Sequence, residues 1–372
     1  MNKDKNGNFY SSLSSVVKNI NTEYILDNFK DPHETGFPEL DILLNGGITQ
    51  GLTVVGASPS LGKSTLMLQI SQNISKNGIP VLYFSLEMPD IFIGAKALSR
   101  QVFIDSKEDE EKKRYSAVNF ISPKAIKKIK KTHWKTIENS RKIVEEECSN
   151  LYIIENMPQS EAEIKANNML KPLTAKGILE ITSEFISETG QAPVVVIDYL
   201  QLLSPDDSSD YEQRRSVEKT VEYMTMISKI APTIAISSFS RGSYNKRPGM
   251  ESFKETGLIE FSADVILALS FLIREGKKEI ILDEEKSKEP RELDVIVLKN
   301  RYGKSGEDAT VRFNYFAKYD YFKEASTKKE KIKSVTKRKA STRAKSSIVK
   351  KDAKEDTTKN PVDNERKVVN LN

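Results

Sequence analysis

Six short apolar runs punctuate the chain: Leu52–Gly56, Val81–Ser85, Tyr152–Ile154, Val194–Ile197, Thr233–Ile236 and Val265–Leu269. Turn-forming or polar residues bound each run. Segments of helical spacing lie between them, Lys63–Lys76 and Met88–Val102 among these. A strand with one wet face alternates apolar and polar residues, whereas a strand buried on both faces reads as an unbroken apolar run. The pattern therefore predicts an α/β fold, with a mostly parallel central sheet flanked by helices on both faces. Further along, Ile280–Asp283 and Asp294–Leu298 read as strands flanking a charged turn. Val311–Phe316 and Tyr319–Phe322 read as a terminal hairpin.

Three regions depart from this rhythm. Residues 1–34 are polar apart from an amphipathic stretch, Val16–Phe29. It reads either as a helix docking on a neighbouring subunit or as one folded back on its own domain. Residues 104–148 are rich in Lys and Glu, with helical spacing around Ile126–Val144, and read as a surface insertion in a domain spanning 35–323. Lys124, Lys127, Lys128, Lys130 and Lys131 there read as a solvated helix face. Residues 324–372 read as a basic, disordered tail. There is no internal repeat.

Composition narrows the class. The chain has 372 residues, 38% hydrophobic and 30% charged, enough apolar content for a large core. No run approaches the roughly 18 apolar residues of a membrane span. Met1–Ser15 lacks the apolar middle of a secretory signal. A lone cysteine, Cys148, excludes an internal disulfide and a thiolate metal cluster. These features together predict a cytoplasmic protein. The net charge of +5 hides an asymmetry: Thr327–Lys354 holds 12 basic and 2 acidic residues, and Met1–Ser326 holds 43 basic and 47 acidic. A basic extension of that kind suits nucleic acid or another anionic partner.

The chemistry concentrates in four segments. Ala57-Ser58-Pro59-Ser60-Leu61-Gly62-Lys63-Ser64-Thr65 follows a strand and opens a helix, the setting of a P-loop. Its backbone amides and the helix dipole would cradle phosphates. Lys63 would reach the β- and γ-phosphates of ATP, and Ser64 would place its hydroxyl on Mg²⁺. The strict pattern wants Gly at 57, but the chain has Ala57, with Gly56 one place earlier. Val194-Val-Val-Ile-Asp198 delivers a carboxylate at a strand end, where it would help hold Mg²⁺. Phe84-Ser-Leu-Glu87-Met-Pro places Glu87 just past a strand expected beside the P-loop strand. Glu87 there would polarise the attacking water, or else cap the following helix. Lys299-Asn-Arg301 ends the Asp294–Leu298 strand, a position suited to an arginine finger reaching across a subunit interface.

These segments, in this order, resemble the motor domain of DnaB-type replicative DNA helicases, a RecA-like P-loop NTPase family. The segments Val196-Ile-Asp-Tyr-Leu-Gln-Leu-Leu203, Glu255-Thr-Gly-Leu-Ile-Glu260 and Ala263-Asp264 add to the likeness, which runs from about Thr35 to Phe322. The resemblance implies Glu87 as catalytic base, Asp198 as the Mg²⁺-associated acid, and Arg301 with Lys299 acting on a neighbour's ATP. It implies a hexameric ring that moves on single-stranded DNA, with primase, a helicase loader or other replication proteins as partners and no membrane. It further implies that the loops Asp206–Arg215 and Arg241–Glu251 face the DNA. Arg214, Arg215, Arg241, Lys246 and Arg247 would track the backbone there, helped by flexible glycines, and Tyr244 would stack on a base. Asp206, Asp207 and Asp210 weigh against the first loop.

Three departures qualify the likeness. The family's long helical N-terminal domain has no counterpart in the roughly 35 residues before the motor segment, so the chain reads as a trimmed form encoded by a bacterium, phage or plasmid. Ser237-Ser238-Phe239 stands where the family carries Gln and Asn, which puts coupling between nucleotide and DNA in question. Phe261-Ser262 replaces a more polar pair. The opening Thr35-Gly-Phe-Pro-Glu-Leu-Asp41 with Gly46-Gly47 also resembles RadA- and KaiC-like ATPases. A second reading follows: a DNA-binding ATPase switch or loader that oligomerises with ATP and does not unwind.

Overall fold

The computed structural model describes residues 12–28, 30–106, 114–155, 173–198, 213–253, 256–272, 280–306 and 308–325. The helices in chain order are α1 Leu13–Asn19, α2 Thr22–Asn28, α3 Pro38–Leu43, α4 Lys63–Lys76, α5 Asp90–Asp105, α6 Ala117–Ile121, α7 Pro123–Ile126, α8 Trp134–Glu147, α9 Ala175–Thr189, α10 Gln213–Ile230, α11 Thr256–Ser262 and α12 Leu282–Ser287. The strands are β1 Leu52–Ala57, β2 Val81–Ser85, β3 Leu151–Glu155, β4 Val194–Asp198, β5 Thr233–Ser238, β6 Val265–Phe271, β7 Arg291–Asn300, β8 Thr310–Phe316 and β9 Tyr321–Glu324. They form one sheet in the order β3-β2-β4-β5-β1-β6-β7-β8-β9. β1 to β6 pair in parallel, and β7 to β9 continue the sheet antiparallel.

Every residue of β1, β2, β4 and β6 is buried. Successive side chains alternate between two apolar layers. On one face Val55, Tyr83, Val194, Val196 and Ile234 pack with Leu66, Met67 and Ile70 of α4. On the other Val54, Leu82, Val195 and Ile197 pack with Ile178 of α9 and Met224 and Ile227 of α10. The six unbroken apolar runs are thus the six parallel strands; burial on both faces erased the alternation in β1, β2, β4, β5 and β6, whereas β3, at the sheet edge, is only partly buried.

Four expectations need correction. Ile280–Asp283 is no strand: α12 covers Leu282–Ser287, and Asp283, Glu284 and Glu285 sit in its first turn, where acids favour a helix. A four-residue run is too short for its period to separate the two states. The expected helix over Val16–Phe29 is instead two short helices as far as Asn28, because Asn21 interrupts it, and Phe29 lies outside the described residues. The Asn21 side chain accepts from Tyr24 N at 2.9 Å and starts α2. Apolar residues of both helices, Leu13, Val17 and Leu26 among them, stay exposed. β2 is not beside β1, because α4 carries the chain past the places later taken by β5 and β4. Sequence neighbours are usually sheet neighbours, and this crossover is an exception.

The fourth correction concerns the DNA loops. α10 begins at Gln213, so Arg214 and Arg215 lie on a helix and not in a loop. Asp206, Asp207 and Asp210 lie outside the described residues. So does the tail beyond Ala325.

Between residues 114 and 147, α6 to α8 pack on α5 through Val102, Ile129 and Ile137. α8 is also fastened to α4. Glu147 accepts from Gln72 at 2.9 Å and from Lys76 at 2.6 Å. Lys124, Lys127, Lys128, Lys130 and Lys131 lie on this surface layer, and Lys127, Lys128, Lys130 and Lys131 carry no ion pair among those the described residues form.

Candidate nucleotide site

β1 runs straight into the loop 58–62, and α4 starts at Lys63. The turn uses two left-handed backbones, Ser60 at φ 68° and Gly62 at φ 85°. At Gly62 a Cβ would also lie 2.7 Å from Tyr315 Cζ, so only glycine fits there. Ser58 and Leu61 are buried, while Pro59 and Ser60 are exposed. Leu61 joins the core, so its side chain anchors the loop and only its backbone can face a ligand. Thr65 Oγ1 donates to Asp320 at 3.3 Å on the inner side, which leaves its backbone N–H for a phosphate. The first N–H groups of α4 have no helical partners and lie at the positive end of a 14-residue helix.

Gly56, one place before Ala57, is required for a steric reason. A Cβ on Gly56 would sit 2.3 Å from Phe253 Cε1 and 2.5 Å from Phe239 Cε1. The glycine is therefore needed where two phenylalanines press on β1. Ala57 is fully buried, and its carbonyl accepts from Lys63 Nζ at 3.3 Å and from Phe239 N at 3.2 Å. One carbonyl thus touches both the P-loop lysine and the start of the loop at 240–253.

Asp198 ends β4 opposite Ser85 of β2. It is buried and accepts from Ser64 Oγ at 3.0 Å and from Tyr83 OH at 2.8 Å. Burial raises its pKa above the usual carboxylate range, against the lowering effect of those two hydrogen bonds. Burial and the Asp198 charge push Tyr83 well above an ordinary tyrosine, so its phenol stays protonated as a donor. Glu87 is exposed, just beyond β2, in a turn pinned on both sides. Leu86 N donates to the Asp198 carbonyl at 2.8 Å, and Met88 N to Ser85 Oγ at 3.3 Å. The Glu87 charge is felt at both Tyr83 and Asp198. Lys63, Ser64, Glu87 and Asp198 therefore converge at one end of the sheet, beyond the carboxyl ends of β1, β2 and β4. Open α/β sheets bind ligands there. A hydroxyl and a carboxylate make a hard oxygen pair of the kind Mg²⁺ accepts, and the amide cradle with Lys63 suits phosphate.

Lys299 and Arg301 lie at the other end. β7 is antiparallel to β6 and starts at Arg291, whose Nη1 donates to the P-loop carbonyl of Ser60 at 3.1 Å. The ten-residue strand ends at Asn300, just before the half-exposed Arg301. Ala57, where the phosphate loop begins, is level with Leu269 and so with Val295 of β7; at about 3.3 Å per residue, Arg301 is on the order of 20–30 Å from its own phosphate loop.

The family model for the DnaB-like helicase C-terminal domain matches residues 33–324. The chain belongs to that family. A replicative DNA helicase DnaB of Leifsonia xyli is 28% identical over 77% of this chain and 55% of its own length. A replicative DNA helicase DnaC of Bacillus subtilis is 27% identical over 77% of this chain and 55% of its own. This DnaB-like chain spans about half the length of those curated relatives. One solved ATPase domain aligns at TM-score 0.64 and 22% identity, covering 85% of this chain and all of that one. A DnaB-like replicative helicase, solved with its interactions with primase, aligns at TM-score 0.62 and 22% identity, covering 85% and 67%. These two likenesses establish the RecA-like fold. Among the described residues of this DnaB-like chain, no helix is long and apolar enough to cross a membrane.

The second loop expected to face DNA is better ordered than its glycines suggest. It holds two short 3-10 turns, Arg241–Ser243 and Met250–Ser252. A bridge between Phe239 and Phe253 and a bond from Ser240 N to the Ser252 carbonyl at 2.8 Å close its base. Arg241, Lys246 and Arg247 are exposed, whereas Tyr244 is half-buried against the core and offers less of its ring than a stacking platform needs. Sequence reasoning missed Tyr83 and Arg291 as neighbours of the site. A tyrosine inside an otherwise apolar strand was the one signal, since a buried phenol needs a partner.

Proposed function

We propose that this chain is the motor of an ATP-driven helicase, a translocase on single-stranded DNA in replication. It works as a ring of identical copies that hydrolyse ATP at their interfaces. The observation that carries the reading is the separation of Arg301 from its own P-loop by the length of β7. A finger of this type completes a site only on the next copy. The site is thus split between chains, and oligomerisation is part of the chemistry. A hexamer is the ring proposed.

The residues divide the work as follows. The α4 amides and Lys63 hold the phosphates of ATP. Ser64 and Asp198 would hold Mg²⁺, which when bound supplies Lewis-acid polarisation of phosphoryl oxygens. Glu87, exposed beside Asp198, orients the attacking water and accepts its proton. Arg301 and Lys299 of the neighbouring copy offset charge developing on the transferred group. Arg241, Lys246 and Arg247, with Arg214 and Arg215 at the head of α10, contact the DNA backbone. The exposed apolar faces of α1 and α2 dock on the adjacent copy, and the basic tail adds nucleic-acid affinity. Primase or a loader is the further partner in a cytoplasmic replication complex.

One observation favours the alternative, a switch or loader. Ser238, paired with Ala57 at the tip of β5, has too short a side chain to bridge a phosphate to the DNA loop. Steady-state ATP hydrolysis with and without single-stranded DNA, joined to unwinding of a forked duplex, decides between them. The motor reading expects DNA to raise hydrolysis several-fold and the fork to open. A fork that stays closed at saturating ATP moves the switch reading ahead.

A further inference from the structure

The finger of this chain is not a loose side chain. Arg301 Nη1 donates to Asp264 Oδ1 at 2.8 Å, and Nη2 donates to the Phe261 carbonyl at 2.8 Å. The Arg301 backbone N–H donates to the Asp264 carbonyl at 3.0 Å. Lys299 Nζ donates to the Glu260 carbonyl. Both cations thus sit at the C-terminal end of α11, where carbonyls lack helical partners. A guanidinium has more N–H donors than these bonds use, and Arg301 remains 47% exposed.

Asp264 joins the finger to the chain's own phosphate strand. Its Oδ2 accepts from Leu52 N at 2.9 Å, and its N–H donates to the Leu52 carbonyl at 2.8 Å. Leu52 is the first residue of β1, whose other end becomes the P-loop. Gly51 leaves room for this contact. It has φ 128°, and a Cβ there would lie 2.5 Å from Asp264 Oδ2. Asp264 itself is only 15% exposed, so its carboxylate faces two fixed donors and little water.

We propose that Asp264 is the positioning residue for the finger: it holds one edge of the Arg301 guanidinium and presents the other edge to the nucleotide of the neighbouring copy, while Leu52 ties the finger to the strand of its own P-loop. The inference rests on the interface reading given above. Ordering the finger in advance spares that cost at the moment of phosphoryl transfer. The Leu52 contact gives a direct path between adjacent sites, since movement of a finger at one interface is felt at the base of the strand leading to the next P-loop.

The test compares Asp264→Asn, Arg301→Ala and the double variant in the full-length chain. It measures kcat and KM for ATP, the Kd of a fluorescent ATP analogue, and Tm. Asp264→Asn is expected to lower kcat about tenfold, with nucleotide Kd within about twofold. It is expected to add no further loss in the Arg301→Ala background, because both changes remove one device. A carboxylate that only supports the fold would lower kcat by the same factor in both backgrounds, which overturns the proposal. A rise in kcat would mean that Asp264 locks the finger away, and overturns it too. Should Asp264→Asn fail to fold, Asp264→Glu keeps the charge beside Leu52 but shifts it by one methylene, and the same readouts decide. If Arg301→Ala hydrolyses at the wild-type rate, the interface reading itself has failed. If Arg301→Ala is slow and Asp264→Asn is not, only the role given to Asp264 falls.

Discussion

The two ends of the central sheet are built on opposite plans. At the P-loop end, Ser64, Asp198 and Tyr83 satisfy one another within the chain, and Asp198 is buried among them. At the finger end, Arg301 is half-exposed and its outer edge faces solvent. A closed hydrogen-bond network can be preorganised by one chain alone. An exposed, anchored cation has its use only when a second surface arrives. The difference teaches that binding should survive in an isolated copy, whereas catalysis should not.

The most damaging way to break that comparison removes one end at a time. Lys63→Ala should lower ATP hydrolysis about 10³-fold or more and weaken nucleotide binding; Arg301→Ala should lower kcat by a similar factor with binding retained. Mixing the two variants is the sharper measurement. An interface formed by the intact P-loop of an Arg301→Ala copy and the intact finger of a Lys63→Ala copy is complete, so the mixture should regain part of the wild-type rate. A finger acting within its own chain would leave every mixture inactive.

A smaller effect probes the closed end. Tyr83→Phe removes one of the two hydrogen bonds that hold the Asp198 pKa down against burial. The carboxyl, already raised, should rise further. The protonated form then persists to higher pH, and the acid limb of the kcat/KM profile should move to higher pH. At neutral pH the variant should lose about 1 kcal/mol of stability. A raised carboxyl favours the protonated folded state, so this loss is largest above the folded pKa and shrinks as pH falls below it. An unchanged acid limb would remove Tyr83 from the site.

Legibility in the sequence follows the same division. The parallel strands, α4 and the gathering of Lys63, Glu87 and Asp198 at one sheet end can be read because apolar runs, buried on both faces in all but the edge strand β3, and the phosphate-loop pattern leave local signatures. Adjacency misplaces the Glu87 strand, since nothing in the chain says that α4 crosses two strand positions. The start of α12 passes for a strand because four residues carry too little periodicity. Arg291 and Asp264 leave no trace of their roles, and Tyr83 leaves only that of a phenol in an apolar strand, because their partners lie far along the chain, as far as 231 positions away for Arg291 and Ser60. Such pairings are properties of the fold, and no spacing encodes them.

Gly56→Ala tests whether the P-loop strand and the basic loop move together. The added Cβ would meet Phe239 and Phe253, both buried and both rings rather than flexible chain ends. Overpacking of this kind costs about 1–3 kcal/mol. The strain falls at the base of the 240–253 loop, so DNA stimulation of hydrolysis should drop more than the basal rate. Equal losses in both would mean that the two phenylalanines only fill space.

The mildest change tests the loop's charge. Arg241, Lys246 and Arg247 are carried on a segment whose base is fastened by the Phe239–Phe253 bridge and the Ser240–Ser252 bond. An ordered loop presents its cations in fixed register, so each should neutralise a particular phosphate. Replacing Lys246 by Ala should weaken single-stranded DNA binding to a similar degree for every sequence tested. It should also reduce the slope of log affinity against log salt by about 0.7, the release of one counterion from a single strand. Basal hydrolysis should stay at the wild-type rate, because Lys246 takes no part in holding nucleotide. A slope identical to wild type would remove Lys246 from the DNA path, leaving Arg241 and Arg247 to be tested in the same way. A loss confined to particular sequences would instead indicate contact with bases, a role that a lysine on an ordered turn can fill only if the bases are splayed toward it.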